Sequence, residues 1–457
     1  MHIGLDFGTT NSTAAVVADG RFRLIPLDPR AASPTVMPSA LFIGRGGELL
    51  VGQAAIDHYT AANVGREIVY ERRSIGQLEL TFANVGTVTR DVYALVDANK
   101  PGRLFQSMKT ALRDASYTST DVFGTPWNIE ELIAALLREI KRRIEEVLGE
   151  PVTRLTVGRP VHYAPTSEGD ALAIARMRRA CGLAGLDEVD FLEEPVAAAH
   201  AYAREIDRLR YVLVFDFGGG TLDVTIMALD PAGRREVLAT EGVPIGGDLL
   251  DSRIVMGSLL PYFGAGARLG PRKLPLPAFL LEHLQSWQEI LDLHTPRELS
   301  IIDEVIVTGD KPAELRALRA LVRGNYGLPL YRTVEQAKRR LSSEEQATIA
   351  MHAGEINFEH MLGRIEFERL IGPDARAIAA CVDRALKAAA LEPGRIDVVL
   401  RTGGSSRIPR FVRLLAERFG PERIQAIDAF TSVGAGLAVA AWENAEPAAR
   451  RQRVLLA

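Results

Sequence analysis

Short runs of alternating apolar and polar residues open the chain. Ile3–Asp6, Thr13–Val17, Arg21–Leu24 and Ser39–Ile43 read as strands, and Asp19-Gly20 is a hairpin turn signal. Residues 46–125 are mixed, with polar loops and few clear periods. The period then changes. Ile129, Leu132, Ile133, Leu136, Leu137, Ile140, Ile144 and Val147 recur at helical spacing, which predicts a long amphipathic helix over Asn128–Val147. A strand follows at Thr153–Pro160. Helices follow at Ser167–Cys181 and Glu194–Glu205, the latter with Pro195 in its first turn, where proline is tolerated. A second series of strands starts at Tyr211. Beyond Asp251 the pattern is helical, broken by a Gly/Pro-rich loop from Phe263 to Pro277. Helices are expected at Val334–Ser343 and Asp374–Ala390, with the strand Asp397–Arg401 and a further helix after it. Strands and helices interleave through both halves, which is the pattern of an α/β protein with helices packed on mixed sheets.

Composition narrows the class. The 457 residues suggest about three domains or two large lobes. Apolar residues make up 47% and charged residues 25%, as in an ordinary soluble globular protein. A net charge of −4 gives no electrostatic reason to expect nucleic acid as a partner. Lys141-Arg142-Arg143 and Lys338-Arg339-Arg340 lie in helical patterns and read as solvated faces. Cys181 and Cys381 are far apart and the eight histidines are scattered, so no metal-ligand spacing exists. Reduced packing cysteines and the lack of a signal-peptide pattern fit the cytoplasm. No apolar run reaches membrane-spanning length, so no membrane partner is expected.

The chemistry gathers at a device used twice. Residues 3–13 and 212–226 each run from an apolar strand into Asp-Phe-Gly, then small and hydroxylated residues, then a second apolar strand. Glycine in such a turn lets the backbone approach a ligand, and bare N–H groups there form a concavity for anions. Asp6 and Asp216 would repel phosphate; an acid at this place suits a hard cation that bridges to phosphate. Two facing copies would clamp a Mg-bound polyphosphate.

Five segments, in order, resemble the nucleotide-binding domain of the DnaK-type heat shock protein 70 family. They are Gly4–Ser12, Glu194–Tyr202, Phe215–Asp223, Glu335–Ser343 and Gly403–Pro409. The resemblance implies the actin-like ATPase fold, two RNase H-like lobes around a central nucleotide cleft. Residues 1–206 with 426–457 would form one lobe and 207–425 the other, with 248–365 as a small variable subdomain. It also implies ATP/ADP, Mg²⁺ and K⁺ as cofactors. Asp6 and Asp216 would organise Mg²⁺; Gly8, Thr9, Thr10 and Asn11 would contact phosphates from one side, and Gly218, Gly219, Gly220 and Thr221 from the other. Asp223 would orient the attacking water or a monovalent cation, and Glu194 would sit near Mg²⁺ and K⁺. Lys109 is matched to a family lysine that positions the nucleophile, and Pro160 to a switch proline. Gly403, Gly404, Ser406 and Arg407 would lie along adenosine, while Glu335 and Lys338, one helical turn apart, would bond the ribose and cover adenine.

The chain also departs from the family. Gly158-Arg159 replaces a small apolar lead-in to Pro160, and 255–333 diverges and looks enlarged. No peptide-binding domain is expected. Val454-Leu455-Leu456 is apolar enough to imitate a linker but reads as packing residues. The short form resembles the YegD-like branch. The expected function is a slowly hydrolysing, ATP-dependent chaperone-like switch with client or co-chaperone partners. The alternatives are a sugar-type kinase of the same superfamily, an actin-like filament former, and a module that binds ATP without hydrolysis.

Overall fold

The computed structural model describes residues 1–18, 21–82, 86–164, 166–203, 206–231, 235–426, 429–445 and 455–456. Asp19-Gly20, Glu205 and Val454 therefore lie outside the described residues. The chain forms two compact units: Met1–His58 with Leu104–Leu250 and Glu368–Ala457, and Tyr59–Arg103 with Asp251–Phe367.

The first unit contains two sheets of one design. In the first, the strands run in the order Glu188–Glu193, Arg154–Arg159, His2–Phe7, Asn11–Ala18, Arg21–Ile25. The hairpin strands pair antiparallel, and Arg154–Arg159 joins His2–Phe7 in parallel. In the second, the order is Ile424–Ala426, Val398–Thr402, Arg210–Phe217, Leu222–Leu229, Arg235–Val243, with the same pattern of antiparallel and parallel pairs. Sequence showed only the two hairpins to be alike; the likeness extends to all five strands. Leu455–Leu456 adds a short parallel strand beside Arg21–Phe22.

Apolar alternation decides which helix covers which face. Ile3, Leu5, Phe7, Ala14 and Val16 pack on the helix Ile129–Leu148. Asn128 caps that helix, accepting from the Glu131 N–H while the Glu131 carboxylate accepts from the Asn128 N–H, which satisfies two otherwise orphaned donors. The opposite face, with Ala15 and Val17, packs on Ala438, Val439 and Trp442 of the helix Ala429–Ala445. One face of the second sheet meets Ala197, Ala198 and Ala199 of the helix Glu194–Ala203 and Val433 and Leu437 of the helix Ala429–Ala445. These two helices cross so closely that a Cβ on Gly436 would collide with the Ala197 carbonyl.

The second unit holds much that the sequence left unassigned, and its expected helix over 334–343 is the end of a longer one, Gly327–Arg340. Tyr70–Phe82 and Gly86–Asp97 form a long hairpin within the region of few clear periods. The helices Pro296–Thr308 and Pro312–Arg323 precede Gly327–Arg340, and Gln346–Ala353 pairs with Ile356–Gly363. The expected loop 263–277 contains a small pair of strands, Arg268–Leu269 and Leu274–Pro275. No helix among the described residues is long and apolar enough to cross a membrane.

Candidate functional site

Asp6 and Asp216 occupy the same place in their sheets, one residue before the end of the first hairpin strand. Asp6 lies opposite Thr13, and Asp216 opposite Asp223. The turns match as well. The Gly8 N–H donates to the Asn11 carbonyl (3.0 Å), and the Gly218 N–H to the Thr221 carbonyl (3.0 Å). A serine braces each turn: the Ser39 hydroxyl donates to the Gly8 carbonyl (2.8 Å) and the Ser405 hydroxyl to the Gly218 carbonyl (3.1 Å). A Cβ on Gly219 would collide with the Thr10 hydroxyl, so the two turns stand against each other. Gly247 and Asp248 close the second turn by donating to the Gly218 and Gly219 carbonyls (3.0 and 2.9 Å).

Lys109 lies in the short helix Met108–Ala111, which starts from Ser107 in the left-handed conformation (φ 55°), a strained position for a non-glycine residue. Its Nζ donates to Glu194 Oε1 at 2.7 Å, with the two side chains only 10% and 15% exposed. Glu194 opens its helix directly after the strand Glu188–Glu193. Pro160, Val161, Glu194, Pro195, Asp216 and Asp223 line a common pocket.

Electrostatics set this group apart. Burial, then the Glu194 charge, pushes the Asp6 carboxyl up to about 7, with Lys109 pulling the other way. Burial, then Glu194, pushes Asp223 up to about 6. Asp216 is held well above the ordinary carboxylate range by burial and by the charges of Glu194, Asp223 and Asp6. Burial alone would lower the Lys109 ammonium, but Glu194, Tyr163 and Asp6 outweigh it and raise it above the usual lysine value. Such crowding of buried acids is typical of functional sites. An all-oxygen, negatively charged set fits a hard cation. Among the described residues no three acidic, His or Cys side chains stand close enough to hold an ion by themselves. A cation here would complete its shell with water and phosphate oxygens.

The crowding has a pH consequence. With no divalent cation, folded Asp6 keeps a proton between about pH 4 and about pH 7 that the unfolded chain gives up. The native state then binds more protons than the unfolded state, so this contribution to stability falls as pH rises through that window. Asp6→Asn should therefore raise the melting midpoint in EDTA at about pH 8 by about 2–4 °C, with no gain near pH 4. An equal effect at both pH values would show that Asp6 is not strained in its charged form.

The remaining candidates fall into three groups. Thr9, Thr10 and Asn11 line the first turn, and Gly220 faces the Thr9 methyl at 3.5 Å for an added Cβ. The Thr221 hydroxyl donates to Asp223 Oδ2 (3.2 Å). In the segment Gly403–Arg407, Gly403 has φ +81° and Gly404 and Arg407 are exposed, while the buried Ser406 hydroxyl turns inward to the Gly403 carbonyl (2.7 Å). In the second unit Glu335 is exposed, whereas Lys338 is buried and ion-paired with Asp251 at 2.7 Å. Sequence reasoning missed Ser39, Ser405 and Asp248. The Gly246-Gly247-Asp248 run before a helix was a readable turn signal for the last.

Two like sheets with paired acid-tipped glycine hairpins are those of the actin-like ATPase fold. The family model described as "Hsp70 protein" matches residues 2–259 and 327–455. The chain belongs to the Hsp70 family. It is 31% identical over 449 residues to the rice (Oryza sativa subsp. japonica) "Heat shock 70 kDa protein BIP3", covering 96% of this chain and 56% of that protein. It is 28% identical over 449 residues to "Chaperone protein DnaK" of Thermus thermophilus, covering 96% and 60%. The "Chaperone protein dnaK" of Cyanidioschyzon merolae is 28% identical over 448 residues, covering 96% and 61%. The chain thus spans somewhat over half the length of these curated relatives.

Proposed function

We propose that this chain is an ATP-binding switch of chaperone type that hydrolyses ATP slowly, in the cytoplasm, and acts on or with protein partners. The observation that carries this reading is the Lys109–Glu194 pair beside Asp6, Asp216 and Asp223, at the tips of two like glycine hairpins. Thr9, Thr10, Asn11 and Gly218 to Thr221 would bind phosphates through N–H and hydroxyl groups, and Asp6 and Asp216 would hold Mg²⁺ with its waters. A bound divalent cation would neutralise polyphosphate charge, the main requirement of phosphoryl transfer. Lys109, fixed by Glu194, would place its ammonium where charge develops. Asp223, largely ionised above about pH 6, would accept the proton of an attacking water. K⁺ is a fitting second ion beside Glu194 and Asp223. Residues 1–206 with 426–457 would act as one lobe and 207–425 as the other, with Glu335, Lys338, Gly403, Gly404, Ser406 and Arg407 serving adenosine. ATP and ADP states would differ in closure of the lobes, since a ligand shifts such an equilibrium only by binding one state better.

The test is calorimetric titration with MgATP and MgADP, combined with single-turnover hydrolysis. Tight binding with slow hydrolysis supports the switch. Binding with no hydrolysis would replace it with a nucleotide-gated module, and ATP consumption that rises with added sugars would replace it with a kinase.

A further inference from the structure

Arg159 belongs to the Gly158-Arg159 pair in which this chain departs from the family pattern before Pro160, and its guanidinium makes three hydrogen bonds. It ends the strand Arg154–Arg159, in parallel register with Glu193. Its Nη1 donates to the Pro160 carbonyl (3.0 Å) and to the Val161 carbonyl (2.8 Å), and its Nη2 to Glu193 Oε1 (2.9 Å). Both side chains are largely sheltered, 22% and 25% exposed. One guanidinium thus fastens two pieces of backbone that carry pocket residues: the Pro160-Val161 segment, and the strand end that places Glu194 one residue on. Glu194 in turn holds the Lys109 ammonium. Two residues beyond Val161, Tyr163 is buried, its hydroxyl has no hydrogen-bond partner, and its ring shares the electrostatic field of Lys109 and Glu194.

We propose that Arg159 is a positioning residue for hydrolysis: through the Pro160 and Val161 carbonyls and Glu193 it fixes Glu194, and through Glu194 it fixes the Lys109 ammonium. This rests on the reading of the chain as an ATPase. A planar, multi-donor fork satisfies two carbonyls and a carboxylate in fixed directions; a lysine has three donors but on a point charge at the end of a flexible stem. Loss of the fork would leave Glu194 attached to its helix but free to shift with the strand end. A small displacement of a positioned group has a large effect on rate and a small one on binding.

The test compares Arg159→Met, Arg159→Lys and Glu193→Gln with the natural chain. It uses single-turnover hydrolysis, MgADP affinity, thermal melting and hydrogen exchange of the peptides around Lys109 and Glu194. Arg159→Met should slow hydrolysis by about ten-fold while MgADP affinity stays within about two-fold. Arg159→Lys should recover part of that loss, and Glu193→Gln should fall between them. Exchange should quicken both at 188–198 and at 105–112, the second peptide through the Glu194–Lys109 bond. A rate within about two-fold of natural, or quickened exchange confined to 159–163, overturns the proposal. If the natural chain hydrolyses no ATP, the function reading fails by itself. Exchange at 105–112 then decides whether Arg159 positions Lys109. Should Arg159→Met not fold, Glu193→Gln, which keeps the shape of the side chain, carries the same comparison.

Discussion

Lys109→Ala is expected to lower single-turnover ATP hydrolysis by at least about a hundred-fold, with MgADP affinity changed by less than about three-fold. The effect is on the scale of removing one preorganised donor aimed at developing charge. The ammonium is buried, hydrogen-bonded to Glu194 at 2.7 Å and raised above its ordinary pKa, so it stays charged at any working pH. Its removal leaves Glu194 with a buried charge and no partner from Lys109, and it takes away the group that pulls down the pKa values of Asp6, Asp216 and Asp223. Breaking one side of a buried pair costs about 3–5 kcal/mol. The variant should therefore also melt lower near pH 8 and recover on acidification, as protons replace the missing cation. Unchanged single-turnover rates would make Lys109 a structural residue and remove the central element of the proposed mechanism.

Gly403→Ala is expected to destabilise the protein by about 2–4 kcal/mol and to weaken ATP binding with it. Two independent constraints meet at this residue. Its φ of +81° is a region that L side chains rarely adopt, and a Cβ would collide with the Phe217 carbonyl of the second hairpin. The obstacle is backbone, so no rotamer change relieves it. The preceding Thr402 pairs with Asp216, and the following Ser405 braces Gly218. A shift at 403 therefore moves both the acid and the turn. Urea unfolding gives the answer directly: a stability change under about 0.5 kcal/mol would mean that the segment relaxes freely.

Legibility of the sequence followed the range of the interactions. The hairpins were readable because Asp-Phe-Gly is repeated and glycine marks the turn locally. The helix Ile129–Leu148 was readable because its buried positions keep one period and Asn128 and Glu131 close a capping box. The strand pair Gln346–Ala353 and Ile356–Gly363 was not assigned, although Ala347, Ile349 and Met351 alternate inward, because the helical surroundings masked that alternation. Tertiary partners left no local trace. Lys338 and Asp251 are separated by 87 positions, and nothing beside either residue signals the ion pair. Ser39 lies 31 residues from the carbonyl it braces. Lys109 was found only through resemblance, because its helix has four residues and begins from a left-handed serine.

The helix Ala429–Ala445 has a consequence for the order in which the chain acquires its structure. It is the cover for the Ala15 and Val17 face of the first sheet, and Gly4 is packed against Gly434, Leu437 and Ala438. During synthesis the opening strands leave the ribosome some four hundred residues before that helix. Until it arrives, one side of the earliest sheet has no apolar partner from this helix, and contacts so distant in sequence form slowly. The nascent protein thus carries an unfinished sheet until the helix Ala429–Ala445 has been made, and its own assembly passes through a state with exposed apolar surface.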